Sequence, residues 1–429
     1  MKKEGRFIAN NFVLLLILVL LCLSKIFETG VNFIFLLVLF EFLLIISKCK
    51  FSFFSIKHTC VNYITLALFY QYNFGSSYGI LEYTSMNIMY EKILISVFIY
   101  NYIWLLIFYN SGILDLEKAK IKNSNYKLNE FYEVLLCTIS ICSVLIAFPR
   151  MPFLKVSTIG ERFSALLPGN AWNHLSIIAM ILLFPSLKQK KIVKLTYLFN
   201  IFWFISHYER VDVIGLLFGL IFIYVLKSNI KINIAKLLKV GLPILALVVA
   251  MIVTGELRNN KSFDFSIQNI TKKILVQSTS ADEAYIFNLA IKYNTDNGNM
   301  LFKPYVSYFY NAIPLLDYSG DITTILKETY IGHPGGEYLL SAPYMSCGLL
   351  GISIFSIIEY VILHFLIRGK SILSYLWYIF IMCTPFRIVW YGISYIEMGF
   401  IYIIPMMILM SKFFHNGIKY KFVEGDNLK

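Results

Sequence analysis

The chain has 429 residues, 58% of them hydrophobic and only 15% charged, whereas about a quarter of the residues in soluble domains are charged. The formal net charge is +13, but the basic residues form short clusters between apolar runs rather than one basic face or tail. This distribution excludes a nucleic-acid-binding surface and predicts a membrane protein with basic cytoplasmic loops.

Apolar runs long enough to cross a bilayer, about 20 residues, recur along the chain. The first follows Met-Lys-Lys, and no small-residue cleavage site follows Leu23, so we expect an uncleaved first helix. The seventh run is the shortest and is interrupted by His207. The fold class that we predict is an all-α integral membrane protein with about twelve spans, at 8–26, 31–47, 58–74, 91–110, 131–149, 171–187, 194–208, 210–227, 240–256, 343–366, 371–389 and 392–411.

Lysine clusters fall in every second connection between these runs, as the positive-inside rule requires of cytoplasmic loops. Three of the clusters lie at 48–57, 118–127 and 188–194, and another lies in the C-terminal tail. We therefore predict that both termini are cytoplasmic. The predicted organisation is helices 1–9 in residues 1–256, a large extracytoplasmic loop at 257–342, and helices 10–12 with a cytoplasmic tail in 343–429.

The predicted outer loop 257–342 is the least apolar stretch of the chain. A loop of this length in a compact protein is usually functional. Amphipathic patterns at Ile267–Leu275 and Ala281–Tyr293 predict short helices lying over the membrane helices. A shorter outer connection, 150–170, carries Arg150 and Arg162, which are candidate contacts for a glycan or a diphosphate.

Three arginines are predicted at the outer ends of their helices, where a charge within the membrane is energetically costly and therefore indicates a function. Arg210 follows the short seventh span, Arg258 ends the ninth, and Arg387 lies late in the eleventh. Guanidinium groups bind phosphate oxygens bidentately, so three of them at one depth predict a diphosphate site. The alternative for each is that it reaches lipid headgroups or pairs with a local glutamate.

The end of the long loop, Ile331-Gly332-His333-Pro334-Gly335-Gly336-Glu337-Tyr338, combines turn residues with two titratable side chains. Irregular backbone of this kind is tolerated near a membrane where it lines a cavity. His333 and Glu337 are therefore candidate catalytic bases. A capping loop with a surface histidine is the structural alternative.

Two carboxylates, Glu41 and Glu359, fall inside predicted spans. Such residues belong to proton or cation paths or pair with a neighbouring helix, and we favour pairing here. The chain has no Walker A, G-x-G-x-x-G, H-E-x-x-H or G-x-S-x-G motif and no C-x-x-C pair. The sequence therefore predicts neither a cofactor nor a metal site.

Twelve spans, cytoplasmic termini and one large outer loop before the last three helices resemble the Wzy-type O-antigen or capsule repeat-unit polymerases and the related O-antigen ligases. The fold that this implies is similar to a GT-C-type glycosyltransferase. The local matches are Arg210-Val211-Asp212, Leu257-Arg258, and Gly335-Gly336-Glu337-Tyr338 followed by Gly348-x-x-Gly351. Two features depart from the family pattern: Leu315 follows Ile313-Pro314 where many polymerases have a basic residue, and Gly336 stands where the ligases have Asn.

The resemblance implies a reaction on the outer face of the bacterial inner membrane. A glycan on undecaprenyl diphosphate would be transferred to a new lipid-linked repeat unit, with arginines stabilising the departing diphosphate. The partners implied are the undecaprenyl-diphosphate-linked oligosaccharide, membrane lipid and, in addition, a chain-length regulator protein, but no nucleic acid. Two alternatives stay open: a polysaccharide flippase or other transporter, and an O-antigen ligase with a different acceptor.

Overall fold

A computed structural model of the protein describes most of the chain. The described residues are 14–22, 30–50, 52–74, 88–149, 169–207, 210–228, 266, 279–312, 321–330, 336–414 and 416–423. The predicted spans at 8–26 and 240–256 therefore lie partly and wholly outside this part, respectively.

The described chain is mostly α-helical. In chain order the helices are α1 (14–22), α2 (Val31–Cys49), α3 (Phe53–Phe74), α4 (Tyr90–Asn110), α5 (Ile113–Asn123), α6 (Glu130–Ala147), α7 (Gly169–Leu183), α8 (Lys191–Ser206), α9 (Arg210–Lys227), α10 (Thr279–Asn297), α11 (Lys303–Ala312), α12 (Ile322–Thr329), α13 (Ser341–Arg368), α14 (Ile372–Cys383), α15 (Pro385–Tyr391) and α16 (Ile404–Phe413). Two short strands, β1 (Ser124–Leu128) and β2 (Ile418–Phe422), form an antiparallel pair.

Five described helical segments are long and apolar enough to cross a membrane: Val31–Cys49, Tyr90–Asn110, Glu130–Ala147, Ser341–Arg368 and Ile393–Phe413. The pair α14 and α15, which is bent by 69°, adds a sixth if it is a single broken span. The protein is thus an α-helical membrane protein with five or six candidate spans in its described part. The prediction of twelve spans is not confirmed. Among the described residues the other apolar helices are shorter, as at Ala171–Ser186, or more polar, and the predicted spans at 8–26 and 240–256 are not fully described.

Residues Met1–Glu117, Ile267–Phe365 and Ile388–Ser394 make up the first of two compact units. In it α2 packs against α3 and α4, and α10 packs against the same two helices. Helix α3 begins at Phe53, five residues before its predicted start. The Phe53 N–H donates to Glu117 Oε1 at 2.9 Å and the Phe54 N–H to Ser52 Oγ at 3.2 Å, so the first free N–H groups of the helix are satisfied there.

Lys57 is buried by this longer helix, although the sequence places it in a basic cytoplasmic loop. Its Nζ lies 2.7 Å from Glu359 Oε2 and 3.9 Å from the centre of the Trp104 ring. The Tyr100 hydroxyl donates to the same Glu359 oxygen at 2.8 Å. Glu359 therefore pairs with a neighbouring helix, as we favoured. Glu41 does not: it is fully buried in α2, and neither carboxylate oxygen has a hydrogen-bond partner among the described residues.

The second unit comprises Lys118–Ser266, Leu366–Arg387 and Tyr395–Lys429. Here α6 packs against α7 and α8. A core of Val144, Trp203, Phe204 and Val213 joins α6, α8 and α9. Strands β1 and β2 complete the unit and depart from the all-α prediction. Their alternating pattern turns Tyr126 toward the helical interior and leaves Asn125, Lys127, Lys419 and Lys421 exposed.

The β1–β2 pair constrains the membrane topology. Asn125 is paired with Lys421, and an open sheet edge does not occur in lipid, so both residues must lie on the same side of the membrane. We expect Asn125→Cys and Lys421→Cys, each introduced into a variant without native cysteines, to react with an impermeant maleimide from the same side. Asn299→Cys, in the predicted outer loop, is the control for the opposite side. Labelling of the two strands from opposite sides would contradict the pairing.

Candidate active site

Two glycines with left-handed backbone bring two segments of the first unit together. Gly336 has φ of +90° and Gly392 has φ of +74°, a region that other residues enter at a cost. The Leu339 N–H donates to the Val389 carbonyl at 2.9 Å, and the backbones of Glu337 and Tyr391 form an isolated parallel β-bridge. This is the irregular loop that the sequence predicts around Glu337.

A side chain at either glycine would be strained by the left-handed backbone, and its neighbours would have to move by a few tenths of an ångström. A methyl group on Gly336 would lie 3.1 Å from the Trp390 carbonyl oxygen and 3.2 Å from Glu283 Oε1. A methyl group on Gly392 would lie 3.0 Å from Glu337 Oε2. The two glycines therefore allow the backbone to close around two carboxylates, those of Glu283 and Glu337.

Glu337 is buried at the centre of this arrangement, with 3% of its surface exposed. The Tyr308 hydroxyl, on α11, donates to Glu337 Oε1. Tyr308 is itself buried, and a hydroxyl donor favours the ionised form of the carboxylate that accepts from it. Burial opposes that ionisation, and the hydrogen bond from Tyr308 offsets part of the lost hydration.

Glu283 is the second buried carboxylate, with 2% exposed, and it lies on α10. Its Oε2 has no hydrogen-bond partner among the described residues. Burial raises the pKa of Glu283 well above its ordinary value, and the negative charges of Asp282 and Glu337 raise it further. We call Glu283, Glu337 and Tyr308 the acidic cluster.

The placement of Glu283 depends on α10, which differs from the expected amphipathic surface helix. Every residue from Ala281 to Ile291 is buried. The Met89 N–H donates to Asn288 Oδ1 at 2.9 Å, and the rings of Phe287 and Tyr338 lie 5.2 Å apart. Helix α10 is thus an interior element, whereas α12, which was not predicted, is amphipathic and buries Ile322 and Leu326 on one face. The other predicted helix, Ile267–Leu275, lies outside the described residues.

Tyr305 on α11 is also close enough to the acidic cluster for the charge of Glu337 to affect its pKa. Its pKa is raised to about 12, chiefly by burial and further by the charge of Glu337. The opposite face of α11 and the turn before it expose large apolar side chains. These side chains are Leu301, Phe302, Val306, Phe309 and Tyr310. The helix that supplies Tyr308 to the cluster therefore presents an apolar face of the kind that contacts lipid.

Arg387 occupies a different setting, in the second unit. Its Nε donates to Asp212 Oδ1 and its Nη2 to Asp212 Oδ2, both at 3.1 Å. The Tyr395 hydroxyl donates to Asp212 Oδ1 at 2.8 Å. This planar fork is the geometry that would bind a diphosphate, but it holds a carboxylate here. Arg387 thus follows the pairing alternative, with Asp212 rather than a glutamate as partner.

Close helix packing sets this ion pair in place. Gly215 and Gly219 form a G-x-x-x-G face on α9 that packs against Cys383 at the end of α14. A methyl group on Gly215 would collide with the Cys383 carbonyl oxygen, and one on Gly219 would lie 2.5 Å from Cys383 Sγ. Small residues of this kind let membrane helices approach closely. The first turn of α9, which begins at Arg210, is thereby held beside Arg387.

His174 lies next to the same network. It is fully buried, its ring packs edge-on against Tyr395 with centroids 4.6 Å apart, and neither ring nitrogen has a hydrogen-bond partner in the described part of the chain. The sequence analysis did not single out His174, Tyr395 or Asp212 as site residues. Asp212 had a signal, because it follows Arg210 by two positions at a helix start.

The remaining predicted site residues stay predictions. Arg210 begins α9, but its side chain is outside the described set. Four others lie wholly outside the described residues: Arg150, Arg162, Arg258 and His333. The residues of the acidic cluster that the sequence analysis missed are Glu283 and Tyr308. The signal for Glu283 was a pair of adjacent carboxylates in an otherwise apolar helical run.

Comparison of the chain with models of protein families, with characterised proteins and with solved structures gave no match, so the functional assignment rests on the residues described above.

Proposed function

We propose that the protein is a metal-independent glycosyltransferase that polymerises undecaprenyl-diphosphate-linked oligosaccharide repeat units of an O-antigen or a capsule. The reaction takes place on the outer face of the bacterial inner membrane, in a twelve-span protein of GT-C type with cytoplasmic termini. The observation that carries this proposal is the acidic cluster: a buried carboxylate held by a tyrosine on a helix with an exposed apolar face.

The chemistry asks little of the protein beyond position and charge. The acceptor hydroxyl oxygen forms a bond to the anomeric carbon of the growing glycan, and the bond from that carbon to the diphosphate oxygen breaks. The electron pair leaves with undecaprenyl diphosphate, and the hydroxyl proton passes to a base. Glu337 is that base, with His333 as the other predicted candidate. Arginines offset the charge that gathers on the diphosphate.

The apolar face beside the cluster agrees with a lipid-linked substrate. Phe302 is 78% exposed and Phe309 63% exposed, although both lie outside the candidate spans. Exposed apolar surface of this kind marks a membrane or ligand contact. A polyprenyl chain or the outer leaflet covers it in this proposal, so that the sugar next to the diphosphate reaches Glu337.

The arginines give the first test. We expect Arg210→Ala and Arg258→Ala each to abolish chain lengthening, because each removes charge from the site of the departing diphosphate. The measurement is the polysaccharide ladder on a gel from cells that express each variant, with the amount of membrane protein measured in parallel. Glu328→Gln, an exposed change on α12, is the control. Normal ladders from both arginine variants would overturn the diphosphate assignment.

A transporter or flippase is the second candidate, and one observation favours it. Charged and polar side chains are buried together between α3, α4 and α13: Lys57 with Glu359, and His58 and Asn62 with Asn101. Buried ionisable groups between membrane helices mark ion or proton paths in transporters. A flippase would move lipid-linked repeat units across the membrane, and the purified protein would then transfer no glycan, with or without Glu337.

A further inference from the structure

The two carboxylates of the acidic cluster are close enough to affect each other. Gly336, the residue before Glu337, has its missing side-chain position 3.2 Å from Glu283 Oε1, and Glu337 is one of the charges acting on Glu283. Both side chains are at least 97% buried. Two neighbouring carboxylates in a buried site do not both ionise, and one of them keeps a proton.

The surroundings decide which carboxylate keeps it. Glu337 accepts a hydrogen bond from Tyr308, which stabilises a negative charge. Glu283 Oε2 has no donor among the described residues, and the adjacent Asp282 disfavours a further negative charge. Environments that separate two carboxylates in this way assign the acid and the base in other active sites.

We propose that Glu283 is a second functional residue of the acidic cluster, an inference that rests on the polymerase function proposed above. Glu283 carries a proton at neutral pH and so keeps Glu337 ionised as the base for the acceptor hydroxyl. Glu283 is a positioning residue in this scheme, because it acts through Glu337. After transfer both carboxyl groups hold a proton, and the surplus proton is released to water before the next cycle.

The described titratable groups that act on the pair come from three elements. Asp282 lies on α10 beside Glu283, and Tyr305 and Tyr308 lie on α11. Tyr338, in the segment that carries Glu337, interacts with Glu283. Because the three tyrosines stay neutral near neutral pH, the charge of the pair and of Asp282 governs the pH response.

Infrared spectroscopy of the purified protein in lipid tests the proton assignment without any need for activity. At neutral pH we expect Glu283→Gln to remove intensity from the band of protonated carboxyl groups and Glu337→Gln to remove intensity from the carboxylate band. Glu328→Gln, which removes an exposed carboxylate, calibrates the change for one ionised group. Loss of carboxylate intensity in Glu283→Gln would overturn the inference.

The pH profile of glycan transfer gives a second readout. At alkaline pH the wild-type Glu283 loses its proton. The two ionised carboxylates then repel each other, which displaces Glu337 from its position as the base, and the rate of glycan transfer falls. We expect Glu283→Gln to lack this alkaline fall, because its side chain stays neutral. If Glu283 is protonated but the protein forms no glycan chains, the proton assignment holds and the polymerase function is refuted. If Glu283 is ionised in a protein that does form glycan chains, only the proposed role of Glu283 is refuted.

Discussion

Glu337→Gln is expected to lower the rate of glycan transfer by at least about a hundredfold, since a general base contributes about 10² to 10⁴ to a rate. Glutamine keeps the shape of the side chain and accepts the hydrogen bond from Tyr308, but it cannot take the proton of the acceptor hydroxyl. The measurement is transfer by purified protein in lipid vesicles with a lipid-linked repeat unit as substrate.

Two variants make that result interpretable. Glu328→Gln, on the exposed face of α12, should transfer at the wild-type rate. Tyr308→Phe keeps the ring but removes the hydrogen bond to Glu337, and we expect an intermediate loss of the transfer rate. Wild-type activity of Glu337→Gln, together with an unchanged thermal transition, would exclude Glu337 as the base and leave His333 as the candidate.

Arg387→Gln is expected to have the largest effect on stability. It leaves Asp212 buried without its bidentate partner, and breaking a buried ion pair costs about 3–5 kcal/mol of unfolding free energy. Asp212→Asn should cost a similar amount, because the buried Arg387 charge loses the carboxylate that it binds bidentately. Thermal unfolding of the purified variants in the same lipid measures both losses.

The double variant Asp212→Asn, Arg387→Gln separates the structural role of Arg387 from the predicted role in diphosphate binding. Neither charge remains in it, so we expect much of the lost stability to return. Chain lengthening should stay absent if Arg387 also binds the diphosphate. Recovery of both stability and chain lengthening would assign Arg387 to the ion pair alone.

The apolar runs predicted several helices closely because a bilayer demands one continuous pattern. The predicted spans at 31–47 and 91–110 correspond to helices α2 at Val31–Cys49 and α4 at Tyr90–Asn110. Breaks within a run were harder to place. Helix α13 contains non-helical backbone at Cys347 and Gly348, where the N–H groups of Met300 and Leu301 bond the carbonyls of Met345 and Ser346. Those donors lie more than forty residues away along the chain, so no local sequence pattern predicts the break in the helix.

The charge pattern separated basic loops from apolar spans but did not identify buried lysines. Lys57 and Lys120 both belong to predicted cytoplasmic clusters, yet 2% and 1% of their surfaces are exposed. Lys57 pairs with Glu359, and Lys120 donates to Ser374 Oγ at 3.0 Å. Burial lowers the pKa of Lys120 to about 8. Partners so far along the chain are set by tertiary packing.

Only the local part of the candidate site was predictable from the sequence. The glycines and Glu337 form a local motif that the sequence displays. Glu283 and Tyr308 reach Glu337 only through the packing of α10 and α11, whereas the pattern at Ala281–Tyr293 predicted an amphipathic helix over the membrane helices. The pairing of Arg387 with Asp212 likewise depends on Gly215 and Gly219, which bring α9 against α14.

The most direct test of the polymerase assignment is a surface-polysaccharide gel from cells that lack this gene, with the wild-type gene supplied on a plasmid as the control. The proposal predicts that long ladders collapse to a core carrying a single repeat unit, and that the plasmid restores them. Loss of the single-unit band as well, with lipid-linked repeat units accumulating, would contradict it: accumulation on the outer face would indicate a ligase, and accumulation on the cytoplasmic face a flippase.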